Sequence, residues 1–340
     1  TDPFMQYAYI AAEEAMKQSG IKIEPERTGI VMGTAMAGIA TIAYTQEALT
    51  GASHKKVGPR FIPKILGNIA AANIAIDYNI QGPSFTVSTA CSSGGDAINT
   101  ACMCMQSGKA DIMLAVGAES VLCPLVIYSL ANAKALSRRN DSPSTASRPF
   151  DVTRDGFVIG EGGGALVLET EEHALARGAK IYAEIRGCGN TDDAYHVTAP
   201  HPEGRGAIAC MKQAIAEAGI NPSDIGYINA HGTATNKGDT VETSSIKKVF
   251  GNTLPYVSST KGATGHMMGA GGITETITCV KAIETGTVPP TINLNEVDPE
   301  CAGIDFVANT AKKAEINFAM SNAFGFGGQN SSIIVSKYGK

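Results

Sequence analysis

Short apolar runs alternate with amphipathic stretches along the chain. The apolar runs cover residues 30–34, 85–89, 112–116, 165–168, 226–230 and 333–335, and their length is typical of buried strands. Apolar residues recur at helical spacing in residues 3–19 and 205–218, which end at Gly20 and Gly219. Asp2 is the predicted N-cap of the first helix. Strands that alternate with helices predict an α/β fold with largely buried sheets.

Two stretches about half a chain apart follow one plan. In residues 85–101 and 256–277, a β-rich strand ends in Ser-Thr, makes a short turn and enters a helix of small residues. This repetition indicates a duplicated fold. The glycines of these helices allow close approach to neighbouring elements; they are Gly94, Gly95, Gly269, Gly271 and Gly272. A new strand signal near residue 180 divides the chain into halves at 1–179 and 180–340.

Composition narrows the class of protein. The chain has 340 residues, 44% of them hydrophobic, and a formal net charge of −5, so a global basic field for nucleic acid is absent. No apolar run is long enough for a membrane span. The eight cysteines form no paired CxxC spacing, which is typical of reduced cytoplasmic proteins. We therefore expect a cytoplasmic protein with neither nucleic acid nor membrane as a partner.

Cys91 is the sharpest chemical feature of the sequence. It lies in Ser-Thr-Ala-Cys-Ser-Ser-Gly, where an apolar strand ends and a helix begins. The partial positive charge and free N–H groups of a helix N-terminus favour a thiolate and can bind an oxyanion. The alternative interpretation at this position is a buried structural cysteine.

Two histidines are candidate partners for Cys91. His231 and His266 each follow a predicted strand, and neither has metal-ligand spacing to another His or Cys, so no metal site is expected. Lys261 precedes His266 by five residues, and Glu275 is its candidate partner, although a surface salt bridge would explain both residues. The glycine-rich residues 324–330 allow a backbone N–H to point into a pocket.

Four motifs together resemble the β-ketoacyl-acyl-carrier-protein synthases of the elongating, Cys-His-His type. They are TACSSG around Cys91, HGTAT from His231, STKGATGH with Lys261 and His266, and FGFGG at 324–328. The resemblance spans nearly the whole chain. It implies a thiolase-like fold with two similar halves in five layers, α-β-α-β-α, and a homodimer. Family members begin with a strand and a helix before the position of Thr1, so we expect that N-terminal sequence is missing here.

The resemblance implies a role for each matching residue. Cys91 accepts the acyl group, His231 and His266 bind the malonyl thioester oxygen, and Lys261 orders their site. The N–H groups of Cys91 and Phe326 form an oxyanion hole, and Phe326 acts as a gate. The remaining implied roles are support by Glu275 and Phe324, phosphopantetheine binding by Thr233, Thr235 and Thr198, and an acyl pocket of Met36, Ala90 and, across the dimer interface, Phe61.

Charge suggests where a carrier protein docks. Lys55, Lys56, Arg60 and Lys134 are candidates for a local basic patch that binds an acidic carrier, and solvated surface lysines are the alternative. The expected partner is acyl-carrier protein in its acyl and malonyl forms. No cofactor is expected beyond the 4'-phosphopantetheine that carries the substrates.

The implied activity is that of an acyltransferase. It joins the acyl group on Cys91 to malonyl-acyl-carrier protein by decarboxylative Claisen condensation and gives 3-oxoacyl-acyl-carrier protein in fatty-acid elongation. A polyketide-pathway ketosynthase and a non-catalytic scaffold partner are the alternatives. A thiolase is disfavoured because the late Cys301 is not in a glycine-rich loop, and an initiating synthase because position 266 is histidine.

Overall fold

The computed structural model describes residues 1–51 and 57–340. The helices are α1 (Pro3–Ser19), α2 (Ile39–Thr50), α3 (Phe61–Ile65), α4 (Asn68–Tyr78), α5 (Ser93–Gln106), α6 (Pro124–Asn132), α7 (Glu171–Ala176), α8 (Arg205–Ala218), α9 (Asn236–Phe250), α10 (Lys261–Thr264) and α11 (Gly271–Thr285). The strands are β1 (Thr28–Gly33), β2 (Ser84–Val87), β3 (Ile112–Glu119), β4 (Gly162–Glu169), β5 (Glu184–Asp192), β6 (Ile225–Asn229), β7 (Tyr256–Ser258), β8 (Thr287–Val288), β9 (Asp305–Phe306), β10 (Lys312–Lys313), β11 (Phe318–Phe324) and β12 (Gln329–Ser336).

Two large sheets repeat one topology. The first has the order β2-β1-β3-β4, with β4 antiparallel to its neighbour and the other pairs parallel. The second contains β7-β6-β11-β12 with the same pattern of directions, and it adds β9 beside β7 and β5 beside β12. The predicted duplication is therefore confirmed in the order and direction of the strands.

The sheets and helices stack in five layers. α1 and α4 cover the outer face of the first sheet, α8 and α9 cover the second, and α5 and α11 lie between the two sheets. The helices of the middle layer meet backbone to backbone. A Cβ on Gly94 would lie 2.7 Å from the Ile273 nitrogen, and one on Gly272 would lie 2.6 Å from the Gly95 nitrogen. The predicted thiolase-like α-β-α-β-α layering is confirmed, and its glycines are required by this close approach.

Two helices form with the predicted bounds, and two strands are longer than predicted. Helices 3–19 and 205–218 form with those bounds, and the Asp2 carboxylate accepts a hydrogen bond from the Phe4 nitrogen at 3.1 Å as an N-cap. The strands β3 and β12 extend beyond their apolar runs into small and polar residues. Their ladders continue because backbone pairing does not require an apolar side chain.

A groove follows the free side of β4. In the second half β5 pairs with β12, whereas no strand of residues 1–51 or 57–340 occupies the equivalent side of β4. The groove has a volume of about 750 Å³ and is lined mainly by β4, α1, α11 and residues 179–186. Cys91 does not line this groove. Separately, none of the described helices has both the length and the hydrophobicity to cross a membrane.

Candidate active site

Cys91 lies in a tight turn between β2 and α5. Ala90 adopts a φ of 51°, and residues 90–92 form a turn of 3-10 helix that leads into α5. The Ser93 hydroxyl fixes this turn because it donates to the Ala90 carbonyl at 2.6 Å and accepts from the Thr89 nitrogen at 2.9 Å. The Cys91 side chain consequently points into the protein, and the residue is 8% exposed.

Both predicted histidines converge on this cysteine. The Nε2 atom of His266 lies 3.1 Å from the Cys91 sulfur. The rings of His231 and His266 stand nearly perpendicular, with centroids 5.4 Å apart. Phe157 packs edge-on against His266 at 5.1 Å, and the predicted supporting residue Phe324 lies 5.9 Å from the His231 ring. The fold thus brings together residues from both halves of the chain around one sulfur atom.

Burial keeps these imidazoles neutral. It lowers the pKa of His231 and His266 well below 6.5, and the nearby charge of Lys261 lowers both further. A neutral imidazole has one donor nitrogen and one acceptor nitrogen. The Nδ1 atoms of both rings have no hydrogen-bond partner within the described part of the chain. The Nε2 atom of His266 is instead the ring nitrogen that faces the Cys91 sulfur.

Lys261 and Glu275 form a buried ion pair. The Lys261 ammonium donates to the Glu275 carboxylate, and their side chains are only 2% and 4% exposed. Burial raises the pKa of the Glu275 carboxyl, and the neighbouring Lys261 opposes that rise. The interpretation of this pair as an ordinary surface salt bridge is wrong.

The glycine-rich loop after β11 supplies a hydrogen-bond donor to the site. The backbone N–H of Phe326 lies near the Cys91 sulfur and lowers the pKa of its thiol, while the Phe326 ring is 40% exposed. A Cβ on Gly325 would lie 2.7 Å from the Thr89 carbonyl oxygen, so the loop rests directly on the Cys91 turn. Gly327 has a φ of 97° and donates to another loop. A backbone N–H of the kind that forms an oxyanion hole thus lies near the Cys91 sulfur.

The protonation state expected for Cys91 needs correction. The position at the head of a helix predicts a thiolate, but burial raises the pKa of the Cys91 thiol to about 11. The Phe326 N–H and the Lys261 charge lower this pKa, and they do not outweigh burial. The resting side chain is a thiol at neutral pH, and His266 is placed to accept its proton.

Two acidic residues that sequence reasoning missed hold the loop that begins at His231. Glu242 accepts from the backbone nitrogens of His231 and Gly232, both at 2.8 Å, and burial raises its pKa to about 7. Asp239 accepts from the Ala234 nitrogen at 3.1 Å, and burial raises its pKa to about 6. Both lie in the first turns of α9, where acids normally interact with the helix dipole, so the sequence carried no sign of their burial.

Two of the predicted phosphopantetheine-binding threonines lie together in the same loop. The hydroxyl oxygens of Thr233 and Thr235 are 3.0 Å apart. Thr198 is exposed on a different loop, and its N–H donates to His196 Nδ1 at 3.1 Å. The carbonyl of Val197 accepts from the Gly327 nitrogen at 2.8 Å, so this loop also contacts the glycine-rich segment.

The other predicted residues differ in their distance from Cys91. Met36 is half-buried and packs against the apolar cluster that contains Cys91, and the half-buried Ala90 precedes it in the chain. Phe61 begins α3 and is not part of that cluster. For the predicted docking patch, Arg60 and Lys134 are exposed, whereas Lys55 and Lys56 lie outside the described residues.

The described residues contain no group of side chains suited to a metal ion. Among residues 1–51 and 57–340, no three His, Cys, Asp or Glu side chains are grouped so that they could hold a metal ion.

Comparison with known proteins identifies the family. The model of the beta-ketoacyl synthase N-terminal domain matches residues 1–174, and that of the beta-ketoacyl synthase C-terminal domain matches residues 182–295. The chain belongs to the beta-ketoacyl synthase family. This synthase is 44% identical to 3-oxoacyl-[acyl-carrier-protein] synthase 2 of Rhizobium meliloti, over 99% of its own length and 81% of that relative. It is 43% identical to the protein of the same name from Vibrio cholerae, over 99% and 83% of the two chains.

Solved structures of ketosynthases have the same fold. A beta-ketoacyl synthase from Burkholderia phymatum superposes with a TM-score of 0.92 at 34% identity, over 98% of this synthase and 82% of that chain. A type II polyketide ketosynthase in complex with its acyl-carrier protein gives a TM-score of 0.91 at 34% identity, over 98% and 84% of the two chains.

Proposed function

We propose that this synthase catalyses the decarboxylative Claisen condensation of an acyl group with malonyl-acyl-carrier protein. The product is a 3-oxoacyl-acyl-carrier protein in fatty-acid elongation. One observation carries the proposal: the Cys91 sulfur lies 3.1 Å from His266 Nε2, and the Phe326 N–H lies close enough to lower the pKa of the thiol. A nucleophile, a base and an oxyanion donor therefore surround the same atom.

The first step transfers the acyl group to Cys91. His266 Nε2 accepts the thiol proton as the sulfur attacks the thioester carbonyl of the acyl carrier. The N–H groups of Cys91 and Phe326 stabilise the oxyanion of the tetrahedral intermediate. The carbon–sulfur bond to phosphopantetheine then breaks, and the leaving thiolate takes the proton from His266. The products are acyl-Cys91 and free carrier thiol.

The second step forms the new carbon–carbon bond. Before the second step His266 changes tautomer, because the proton that it held on Nδ1 during acyl transfer must be exchanged for one on Nε2. The Nε2 groups of His231 and His266 then donate to the thioester oxygen of malonyl carrier, so the enolate left by loss of carbon dioxide is stabilised. The enolate carbon attacks the carbonyl carbon of acyl-Cys91, and the bond to the Cys91 sulfur breaks. The sulfur leaves as a thiolate and takes one proton from solvent, which balances the negative charge that the malonyl carboxylate brought into the reaction. Both reactants are held in one cavity, which supplies much of the rate.

Further residues have supporting roles in this proposal. Lys261, paired with Glu275, keeps the histidines neutral. Thr233 and Thr235 bind the phosphopantetheine arm. Thr198 contributes from the separate loop whose Val197 carbonyl accepts from the Gly327 nitrogen. The exposed ring of Phe326 acts as the gate between the two steps.

The assembly and its surroundings belong to the same proposal. The partner is acyl-carrier protein, as in the solved complex of the related ketosynthase, and no cofactor is needed beyond its phosphopantetheine. Phe85 on the outer strand β2, together with Leu125 and Tyr128, exposes apolar surface that supports a homodimer. All eight cysteines are unpaired, which supports a cytoplasmic location.

Similarity favours fatty-acid over polyketide synthesis. The 3-oxoacyl synthase relatives are 43–44% identical to this chain, and the type II polyketide ketosynthase is 34% identical. A scaffold partner without catalysis is disfavoured because the complete set of Cys91, His231 and His266 is assembled.

Mass spectrometry after incubation with saturated acyl-carrier protein tests the function directly. We expect an acyl adduct on Cys91 and, on addition of malonyl carrier, its conversion to a 3-oxoacyl product. Cys91→Ala should give neither, whereas the control Cys102→Ala, on the helix α5 that follows the Cys91 turn, should give both. A folded parent chain that takes up no acyl group would overturn the proposal.

A further inference from the structure

Glu119 is a buried carboxylate that accepts four hydrogen bonds close to the active site. It ends β3 and is 0% exposed. Its Oε1 accepts from the Thr34 hydroxyl at 3.0 Å and the Met36 nitrogen at 3.1 Å. Its Oε2 accepts from the Ala35 nitrogen at 2.6 Å and the Gly269 nitrogen at 3.1 Å. The acceptor capacity of the carboxylate is thus used by two different loops.

The carboxylate has no cationic partner within the described part of the chain. Burial raises the pKa of Glu119, and its four donors lower it. The two loops are also in direct contact, since a Cβ on Gly269 would lie 2.5 Å from the Ala35 nitrogen and 2.7 Å from Glu119 Oε2. The buried Glu119 carboxylate therefore joins the two loops. Its desolvation costs free energy, which the four hydrogen bonds offset.

Each of these loops carries part of the proposed site. Residues 34–37 bring Met36 to the apolar cluster around Cys91, and Ala37 within them has a φ of 47°. The Thr34 hydroxyl accepts from the Ala37 nitrogen at 3.2 Å, so it links the strained residue to Glu119. Residues 268–270 follow His266 in the other half of the chain.

We propose that Glu119 is a positioning residue that sets acyl-chain selectivity by fixing the backbone of Met36. This inference rests on the proposed function. While the carboxylate accepts the Ala35 and Met36 N–H groups, only the Met36 side chain adjusts to a bound chain. If these two hydrogen bonds weaken, the backbone of residues 34–37 can move to accommodate a bound chain. The site then distinguishes less well between acyl chains.

Glu119→Gln separates this role from general stability. An amide NH₂ group is tolerated most easily on the Thr34 side, because the Thr34 hydroxyl can turn and accept, so the Met36 hydrogen bond is the one lost. The amide oxygen keeps the bonds to Ala35 and Gly269. The variant therefore loosens the acyl-pocket wall while the turn after His266 remains held.

The experiment compares two rates in the same chain. Acylation of Cys91 by hexanoyl and hexadecanoyl carriers measures selectivity, and carbon dioxide release from malonyl carrier measures the histidine site. We expect Glu119→Gln to change the ratio of the two acylation rates about fivefold in the direction of one. Carbon dioxide release should stay within about twofold of the parent. Thr34→Val should act in the same direction and decides the question if Glu119→Gln does not fold.

A second glutamate, Glu217, provides the matched control. The Glu217 carboxylate accepts a hydrogen bond from the Cys188 nitrogen at 3.1 Å. Glu217→Gln should therefore keep the parent ratio of acylation rates. An unchanged ratio in folded Glu119→Gln, or an equal fall in acylation and carbon dioxide release, would overturn the role of Glu119. No acylation of the parent chain would instead overturn the proposed function.

Discussion

The ammonium group of Lys261 and the carboxylate of Glu275 pair in the interior, where the Lys261 charge also lowers the pKa of both catalytic-site histidines. A buried ion pair gains little net stability, because desolvation of both charges offsets their attraction. The position of this pair beside His231 and His266 gives it a reason to exist other than stability. We infer that it keeps a positive potential on two rings that the proposed mechanism requires as neutral hydrogen-bond donors.

Removing one partner of this pair should cost more than removing both. In Lys261→Met the Glu275 carboxylate loses its only ion-pair partner among the described residues, so the free energy of unfolding should fall by about 3–5 kcal/mol. Lys261→Met combined with Glu275→Gln should recover most of that loss, since no buried charge remains. Urea denaturation of the two singles and the double measures this coupling. Losses that simply add would contradict it.

The pKa of Cys91 predicts the pH dependence of its alkylation. Because burial raises the thiol pKa to about 11, the thiolate fraction at lower pH grows about tenfold per pH unit. The rate of alkylation by iodoacetamide should still be rising at about pH 9.5, where an unperturbed cysteine has levelled off. Lys261→Met removes a cause that lowers this pKa, so it should move the curve to higher pH. A plateau below about pH 9 would refute the buried-thiol state.

Local sequence signals predicted the residues that meet at the proposed site. Cys91 lies at a junction of strand and helix, and His231 and His266 follow β-rich runs, so each position is visible in a short window. The shared plan of residues 85–101 and 256–277 also predicted a duplicated fold, and the glycines of their helices predicted close approach to neighbouring elements. These features depend on residues that are neighbours in the chain.

Long-range packing decided what the sequence did not reveal. Glu119, Asp239 and Glu242 resemble ordinary acids at element ends, and only the fold shows that they are buried acceptors for distant backbone nitrogens. The thiol state of Cys91 was missed for the same reason. A helix terminus is a local property, whereas desolvation depends on every element that packs around the sulfur.

The Gly325 backbone sets the distance between the Phe326 N–H and Cys91. In Gly325→Ala the new Cβ would lie 2.7 Å from the Thr89 carbonyl, so the loop must move away from the sulfur. Loss of one oxyanion donor lowers the rate by about 10²–10³, and we expect a fall of this size in acylation of Cys91. Gly58→Ala, whose Cβ enters open space, should acylate normally. Stopped-flow measurement of acyl transfer checks both, and a normal rate in Gly325→Ala would rule out this donor.

The two histidines should fail differently when replaced. Of these two histidines, His266 has the ring nitrogen at 3.1 Å from the Cys91 sulfur, so in the proposed mechanism His266→Ala removes both the proton acceptor of acyl transfer and a donor to the malonyl thioester. His231→Ala leaves the contact between Cys91 and His266 in place. We therefore expect acyl transfer to fall by about 10²–10⁴ in the first variant and to stay near the parent rate in the second.

Release of carbon dioxide separates the histidines from a general loss of structure. It should fall in both variants by about 10²–10³, because each loses one of the two donors to the developing enolate oxygen. His173→Ala is the matched control, since His173 pairs with Glu169 at 2.7 Å and does not contact Cys91. Acylation and radiolabelled carbon dioxide are measured on the same samples. Equal loss of acyl transfer in His231→Ala and His266→Ala would mean that the 3.1 Å contact does not select the base.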